Sequence, residues 1–503
     1  MTRRTLLQLP GAAAAAPFAQ TSRTAAAAAR QAPPNILFLM VDQMTPFLTP
    51  MYSRQAATMP NLQRLASEGV VFENAYCNSP LCVPSRMSMF SGRLAGAIDG
   101  WDNASVFHAD IPSFVHYLRS AGYETTVSGK AHYIGPDQYH GFHARLTPDI
   151  YPTWYDFLHP WVKGPYWIEG TSIQAELAHL GPSEVNTQID YDSTAYEHGL
   201  EYLRRYAMRG KGRPPFFLNV SFTQPHDPYC APAKYLDMYR NAEIPMPHPY
   251  DDIRKLSPTY EWVEIVHGID REKVPPAKVR ETRRNYMAMC TWVDDRIGGV
   301  LAELRRLGLA DNTFIVFTSD HGDMQGEKGQ WFKRIYLEWS ARVPMVLNWA
   351  GRLRPGRNAS LVSLVDLFPT FVEAAGGKVE TAIDGKSLLP LADGREDGRE
   401  REVIGQYCGE GLIEPECMVR RGQYKYIAVN NYAPQLYDLK ADPYETVNFA
   451  GRPEYAAVEK QLRERSQVGW DGPSVKRRVM ANQADREFER NIKGYMNDNL
   501  WKA

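Results

Sequence analysis

The chain is sparing with cysteine, has no excess charge of either sign, and has no apolar run long enough to cross a bilayer. Its 503 residues include six cysteines, Cys77, Cys82, Cys230, Cys290, Cys408 and Cys417. They are too widely spaced for a disulfide-stapled mini-protein, and no Cys-x-x-Cys pair offers a zinc site. Cys408 and Cys417 alone suggest a pair, which stays open. Lys and Arg number 57 against 58 Asp and Glu, a formal net charge of −1, so general affinity for nucleic acid or an anionic membrane is not expected. What is present, 44% hydrophobic residues, 12% aromatic residues and 36 prolines, describes a large globular protein with structured loops.

The first segment, "MTRRTLLQLPGAAAAAPFAQ", sets Arg3 and Arg4 before a short, weakly apolar, Ala-rich stretch. It is too short and weak for a stable transmembrane helix and reads as a twin-arginine export signal over residues 1–30. The expected location is therefore periplasmic or secreted, with the mature chain starting near Gln31.

Four apolar runs of strand length end abruptly in chemically capable residues. "NILFLMVDQ" ends in Asp42 and Gln43, "ETTVSGKAHY" in Lys130 and His132, "PFFLNVSFTQPHDP" in His226 and Asp227, and "TFIVFTSDHGD" in Asp320, His321 and Asp323. Such runs are what buried parallel strands look like, and the segments between them carry helical periodicity. The spacing predicts an α/β fold, a large, mainly parallel sheet sandwiched by helices, over residues 31–400. Open sheets of this kind bind ligands beyond the carboxyl ends of their strands, so these four ends should converge in one crevice. Singly, each is an ordinary strand-to-turn junction. Near Val403 the texture changes to short, alternating, Tyr-rich strands, which predicts a smaller antiparallel-sheet subdomain with a packed helix and a tail over 401–503.

One more stretch remains, "NSPLCVPSRMSMFSGR". Its Cys82-Val83-Pro84-Ser85-Arg86 frame, followed by Ser91-Gly92-Arg93, resembles the C-x-P-S-R signature of type I sulfatases of the alkaline phosphatase superfamily. A chain of this composition is expected to contain about 0.05 C-x-P-x-R matches by chance. The other motifs match the family in order and context. The resemblance implies that Cys82 is oxidised to formylglycine (3-oxoalanine) by a maturase. It implies that Asp42, Gln43, Cys82, Asp320 and His321 hold one divalent cation, and that Arg86, Lys130, His132, His226 and Lys333 are catalytic. Asn103, Lys130 and Lys333 would contact the transferred group. Hard oxygen donors favour Ca²⁺, with Mg²⁺ or Mn²⁺ as alternatives.

The chemistry explains the residue types. A sulfate ester is already anionic, and attack at sulfur moves further charge onto the departing oxygen; cations and fixed donors stabilise both. A hydrated aldehyde has two geminal hydroxyls. One attacks sulfur, and proton loss from the other expels sulfate, so no second attack by water is needed. Arg86 would balance the nucleophile's charge, Lys130 and Lys333 would hold sulfate oxygens, His132 would deprotonate the diol and His226 would protonate the departing alcohol. Asp227 and Asp323 are expected in supporting positions, and Cys77 as a small buried hydrophobe.

Asp42-Gln43, where many relatives have two aspartates, is similar to choline sulfatases and phosphonate monoester hydrolases. "SGKAHYIGPDQYHGFHARLTPDIYP" and "QWFKRIYLEWSARVP" lean towards the choline sulfatases, so choline-O-sulfate is the lead substrate. A carbohydrate O-sulfatase, or a phosphonate monoester or phosphodiester hydrolase, is the alternative. Choline recognition calls for an aromatic box with a carboxylate, for which Trp101, Trp154, Tyr155 and Trp331 are candidates. A homo-oligomer is possible.

Overall fold

The computed structural model describes residues 33–151, 154–166, 172–395 and 400–492. The expected signal segment and the end of the tail lie outside the described residues. The first half of the chain contributes β1 (Asn35–Val41), β2 (Val70–Tyr76), β3 (Glu124–Gly129), β4 (Ala144–Arg145), β5 (Gly181–Pro182), β6 (Phe216–Ser221) and β7 (Cys230–Ala231). The second half contributes β8 (Thr313–Ser319), β9 (Arg342–Val343), β10 (Met345–Trp349), β11 (Gly356–Ser363), β12 (Glu402–Tyr407), β13 (Glu416–Arg421), β14 (Tyr424–Val429) and β15 (Gln435–Asp438).

The main sheet runs β11-β2-β10-β8-β1-β6-β3-β4, with β9 on β2. The β1, β3, β6 and β8 strands are mutually parallel, whereas β10 runs antiparallel to both β8 and β2. This is the mixed, mainly parallel sheet expected. The strand "NILFLMV" is apolar on both faces because both are covered: Ile36, Phe38 and Met40 enter one core, Leu37, Leu39 and Val41 the other. Helices Cys82–Ser91, Phe114–Ser120 and Leu367–Ala374 supply the first core; Pro60–Ser67, Thr187–Met208 and Pro276–Arg306 supply the second.

Register decides where the chemistry lies. Val41 pairs with Ser319, Met40 with Ser221, and Ser221 with Gly129. The residues that follow, Asp42, Asp320 and Lys130, therefore leave the sheet side by side. Gly129 allows this turn: at φ +104°, an added Cβ would lie 1.9 Å from the Ser221 carbonyl oxygen.

Strands β12 to β15 form the antiparallel meander expected after residue 400, covered by helix Ala456–Ser466 through Leu462 against Val419, Tyr426 and Leu436. It is built into the same compact unit as the main sheet, which extends from Pro34 onward. Asn78 donates to the Ile404 carbonyl (2.8 Å). The buried Lys425 ammonium reaches the Tyr336 carbonyl (2.8 Å) and the carboxylates of Glu338 and Glu445 (2.7 Å each).

Candidate active site

Cys82 begins a helix, Cys82–Ser91, in which all ten residues are buried. The free N–H groups of a helix start favour negative charge, and Val83 N–H is met there by Asn103 Oδ1 at 3.0 Å. The helix closes on Gly92 at φ +67°, a conformation glycine adopts without penalty. Arg86 sits one turn beyond Cys82 and therefore on the same side.

The thiol of Cys82 lies 3.2 Å from His321 Nε2 and 3.9 Å from Asp42 Oδ1. Ligand atoms of Asp42, Cys82, Asp320 and His321 all fall within 4.8 Å of one another, and all four residues are buried. Arg86 bridges the two acids, Nε to Asp320 Oδ2 at 2.8 Å and Nη2 to Asp42 Oδ2 at 3.2 Å, and its Nη1 donates to the Lys130 carbonyl at 2.8 Å. Lys130 Nζ also contacts Asp42 Oδ2. Burial pushes the Asp42 carboxyl up, but the charges of Lys130, His226 and Arg86 outweigh it and hold it well below the carboxylate range. Burial holds His321 below the usual imidazole value, with Asp320 opposing, so the ring is neutral at pH 7. Two carboxylates and a neutral imidazole around a small gap are a donor set for a divalent cation, and the outer oxygens are already bound by Arg86 and Lys130.

The second half of the site is a His226–Lys333 pair, with Nε2 and Nζ 2.8 Å apart. His226 Nδ1 is 2.8 Å from the Asp227 carbonyl, an acceptor only, so a proton sits on Nδ1. The Gln43 amide is committed to this pair: Oε1 accepts from Lys333 at 2.5 Å, and Nε2 donates to Asp227 Oδ1 (2.9 Å) and Asp323 Oδ2 (2.8 Å). Asp323 thus lies behind the site, whereas Asp227 also reaches the cavity wall. Burial raises Asp227, but His226 and Lys333 outweigh it and hold its carboxyl below the usual range.

His132 is buried, at φ +58°, and neither ring nitrogen has a hydrogen-bond partner among the described residues. Burial, with the Lys130 and Arg86 charges, holds it well below the usual imidazole value. Tyr151 lies 4.9 Å from its ring, and Lys130 Nζ is 4.3 Å from the Tyr151 ring centre.

These groups open into a cavity of about 260 Å³. Cys82, Asn103, His132, His226 and Lys333 reach it, so the structure brings together residues from five separate segments of the sequence. It also holds residues that sequence reasoning missed: Tyr151, Phe157 and Phe332, with the carboxylates of Glu176 and Glu410 and the cation of Arg334. Burial raises Glu176 to about 8 and Glu410 to about 7, and one oxygen of each has no partner among the described residues.

The four expected box residues do not line it. Trp101 packs with Trp470, Cys408 and Cys417, and Trp331 faces a different cavity beside Tyr250. Trp154 and Tyr155 pack on one another with tilted rings, 4.4 Å between ring centres. These rings serve packing because each is large enough to fill a core seam. All six cysteines, Cys408 and Cys417 included, are free and buried.

The family model "Sulfatase" matches residues 34–377, and the model of the N-sulphoglucosamine sulphohydrolase C-terminal region matches residues 326–468. Choline-sulfatase of Rhizobium meliloti (strain 1021) is 35% identical over 469 residues, covering 90% of each chain. Arylsulfatase K of Bos taurus is 27% identical over 485 residues, 90% of this chain and 85% of that one. The solved phosphonate monoester hydrolase from Silicibacter pomeroyi shares the fold at a TM-score of 0.70 and 22% identity, covering 93% of this chain and 96% of that one. The family match contains the buried cysteine helix and all four strand ends that meet it, and on that footing the chain belongs to the sulfatase family and is a sulfuric ester hydrolase.

Proposed function

We propose that this sulfatase hydrolyses choline-O-sulfate to choline and inorganic sulfate. The observation that carries the reading is the cavity beyond Cys82, about 260 Å³, where the carboxylates of Glu176, Asp227 and Glu410 share a wall with the rings of Tyr151, Phe157 and Phe332. A trimethylammonium group is recognised by aromatic faces and negative charge, and a two-carbon ester suits a small cavity. The similarity to a choline-sulfatase supports the same reading.

Asp42, Asp320 and His321 would hold a divalent cation, Ca²⁺ by donor hardness. When bound, the cation supplies charge neutralisation for the sulfate and acidifies the hydroxyl beside it. Cys82, oxidised to formylglycine by a maturase, supplies the geminal hydroxyls that attack sulfur and later release sulfate. Arg86 orients both metal-facing carboxylates. Lys130, Lys333 and Asn103 would face the sulfate oxygens. His132, neutral and without a partner on either nitrogen among the described residues, would take a proton from the diol, and the Lys333–His226 pair would deliver one to the departing oxygen.

The test is sulfate release by matured protein from choline-O-sulfate, beside a panel of sulfated saccharides and an aryl phosphonate monoester. Efficient turnover of choline-O-sulfate is expected. Turnover of a saccharide or the phosphonate with none of choline-O-sulfate would overturn the assignment.

A further inference from the structure

The turn that follows β3 has an unusual support. His132 lies at φ +58°, in the left-handed region that a residue with a side chain adopts at a cost. Something must hold it there, and the imidazole does not, since neither ring nitrogen has a partner among the described residues. The backbone does. The N–H groups of Ala131 and His132 both donate to one oxygen of Asp149, Oδ2, at 3.2 and 2.5 Å. Arg145 Nη2 closes on the same oxygen at 2.5 Å. Arg145 is itself fixed by Nε to the Thr147 carbonyl (3.1 Å) and Nη1 to the Gln138 carbonyl (2.9 Å). The other Asp149 oxygen accepts from Ile150 N–H at 3.0 Å. Just before the turn, Gly129 N–H donates to Thr147 Oγ1 at 2.9 Å. The segment from Arg145 to Asp149 thus cups the turn from Gly129 to His132, and its carboxylate is buried and absent from the cavity wall.

We infer that Asp149 is a positioning residue for His132: it clamps the left-handed backbone so that the unpartnered imidazole is presented to the cavity beside Cys82. The clamp is charge-assisted and replaces hydrogen bonds the imidazole would otherwise need to orient itself. Arg145 supplies the counter-charge that makes a buried carboxylate tolerable. The inference rests on the role proposed for His132 above.

The test is a double-mutant cycle on the matured enzyme, with thermal melts as a folding control. Asp149→Ala is expected to lower kcat by about 100-fold with KM within about threefold, because the ring loses its aim and the substrate's contacts survive. Asp149→Asn keeps an acceptor oxygen for the two N–H groups and should hold kcat within about fivefold. In a His132→Ala background, either Asp149 substitution should cost nothing further. Should the alanine variant not fold, Asp149→Ser, too short to reach both N–H groups, takes its place in the cycle. An undiminished Asp149 effect in the His132→Ala background, or a loss that falls on KM, overturns the inference. A His132→Ala enzyme with full kcat would instead refute the role of His132 itself.

Discussion

Replacing Glu410 by Gln separates cation recognition from sulfate chemistry. Glu410 sits in the connection between β12 and β13, is buried, and has one oxygen without a partner among the described residues. It reaches the cavity shared by Cys82 and Lys333. A positive headgroup about 5 Å from a carboxylate, at an effective dielectric of about 20, gains about 3 kcal/mol. Glu176 and Asp227 remain in the variant, and the cavity mouth is wet, so about half of that is lost. The expected result is a 10- to 30-fold rise in KM for choline-O-sulfate at pH 8 with kcat within about threefold. Burial raises the Glu410 carboxyl to about 7 in spite of Arg334. Below that pH the free enzyme is protonated there, and the cation must displace a proton. KM should therefore climb below pH 7 in the parent enzyme towards the 10- to 30-fold rise of the variant, on top of the limb that Glu176 sets near 8. The variant should lack the part near 7 and keep the part near 8. Initial rates over pH 5.5–9 read both effects, with the sulfate ester of an uncharged phenol as the control that should not respond. A variant that keeps the parent KM and its limb near pH 7, or one that loses the aryl sulfate equally, would refute the reasoning.

Three further outcomes are expected. Peptide mass spectrometry of active protein should find the Cys82 peptide lighter than its thiol form, and Cys82→Ala should remove sulfate release entirely; an intact thiol in fully active enzyme contradicts the mechanism. Glu416 is buried with one oxygen unpartnered among the described residues, and burial raises its carboxyl from 4.5 to about 8. A raised acid favours the folded state at low pH and loses that contribution as pH climbs from 4.5 through 8, so Glu416→Gln should leave Tm nearly unchanged at pH 5 and raise it at pH 9. Equal shifts at both pH values would argue against this. Replacing Arg3 and Arg4 with lysines should retain the protein in the cytoplasm of a host with twin-arginine export, which cell fractionation checks; continued export argues for another route.

The half of the site that handles charge was legible in the sequence, and the half that meets the alcohol was not. Asp42, Lys130 and Asp320 follow strands whose apolar runs are unmistakable, and parallel register then sets them side by side. Cys82 and Arg86 share a helix face, so their spacing carries its own geometry. Glu176, Glu410, Tyr151 and Phe157 lie outside any such frame. Glu410 reaches the cavity because Asn78 and Lys425 bind the C-terminal sheet to the main body, and a single local window contains no trace of that contact. Tryptophan misled for a related reason. Its bulk suits a cation box and a core seam equally, and Trp101 goes to the seam with Trp470.

This division has a consequence for how such a site can change. A one-residue slip of β1 or β8 would exchange the side chains between the two cores and displace Asp42 or Asp320 from the cysteine helix, so the charge-handling half is tied to the stability of the sheet. Glu176 and Glu410 carry the opposite sign of cost: each is a buried acid raised towards neutrality by desolvation, so the folded chain is less stable at pH 8 for carrying them. Residues that lower stability and lie outside the sheet can be replaced without disturbing the register that assembles the nucleophile. The alcohol specificity of this sulfatase is therefore expected to be exchangeable by substitution at Tyr151, Glu176 and Glu410, whereas substitutions at Asp42, Arg86 or Asp320 should abolish turnover of every sulfate ester alike.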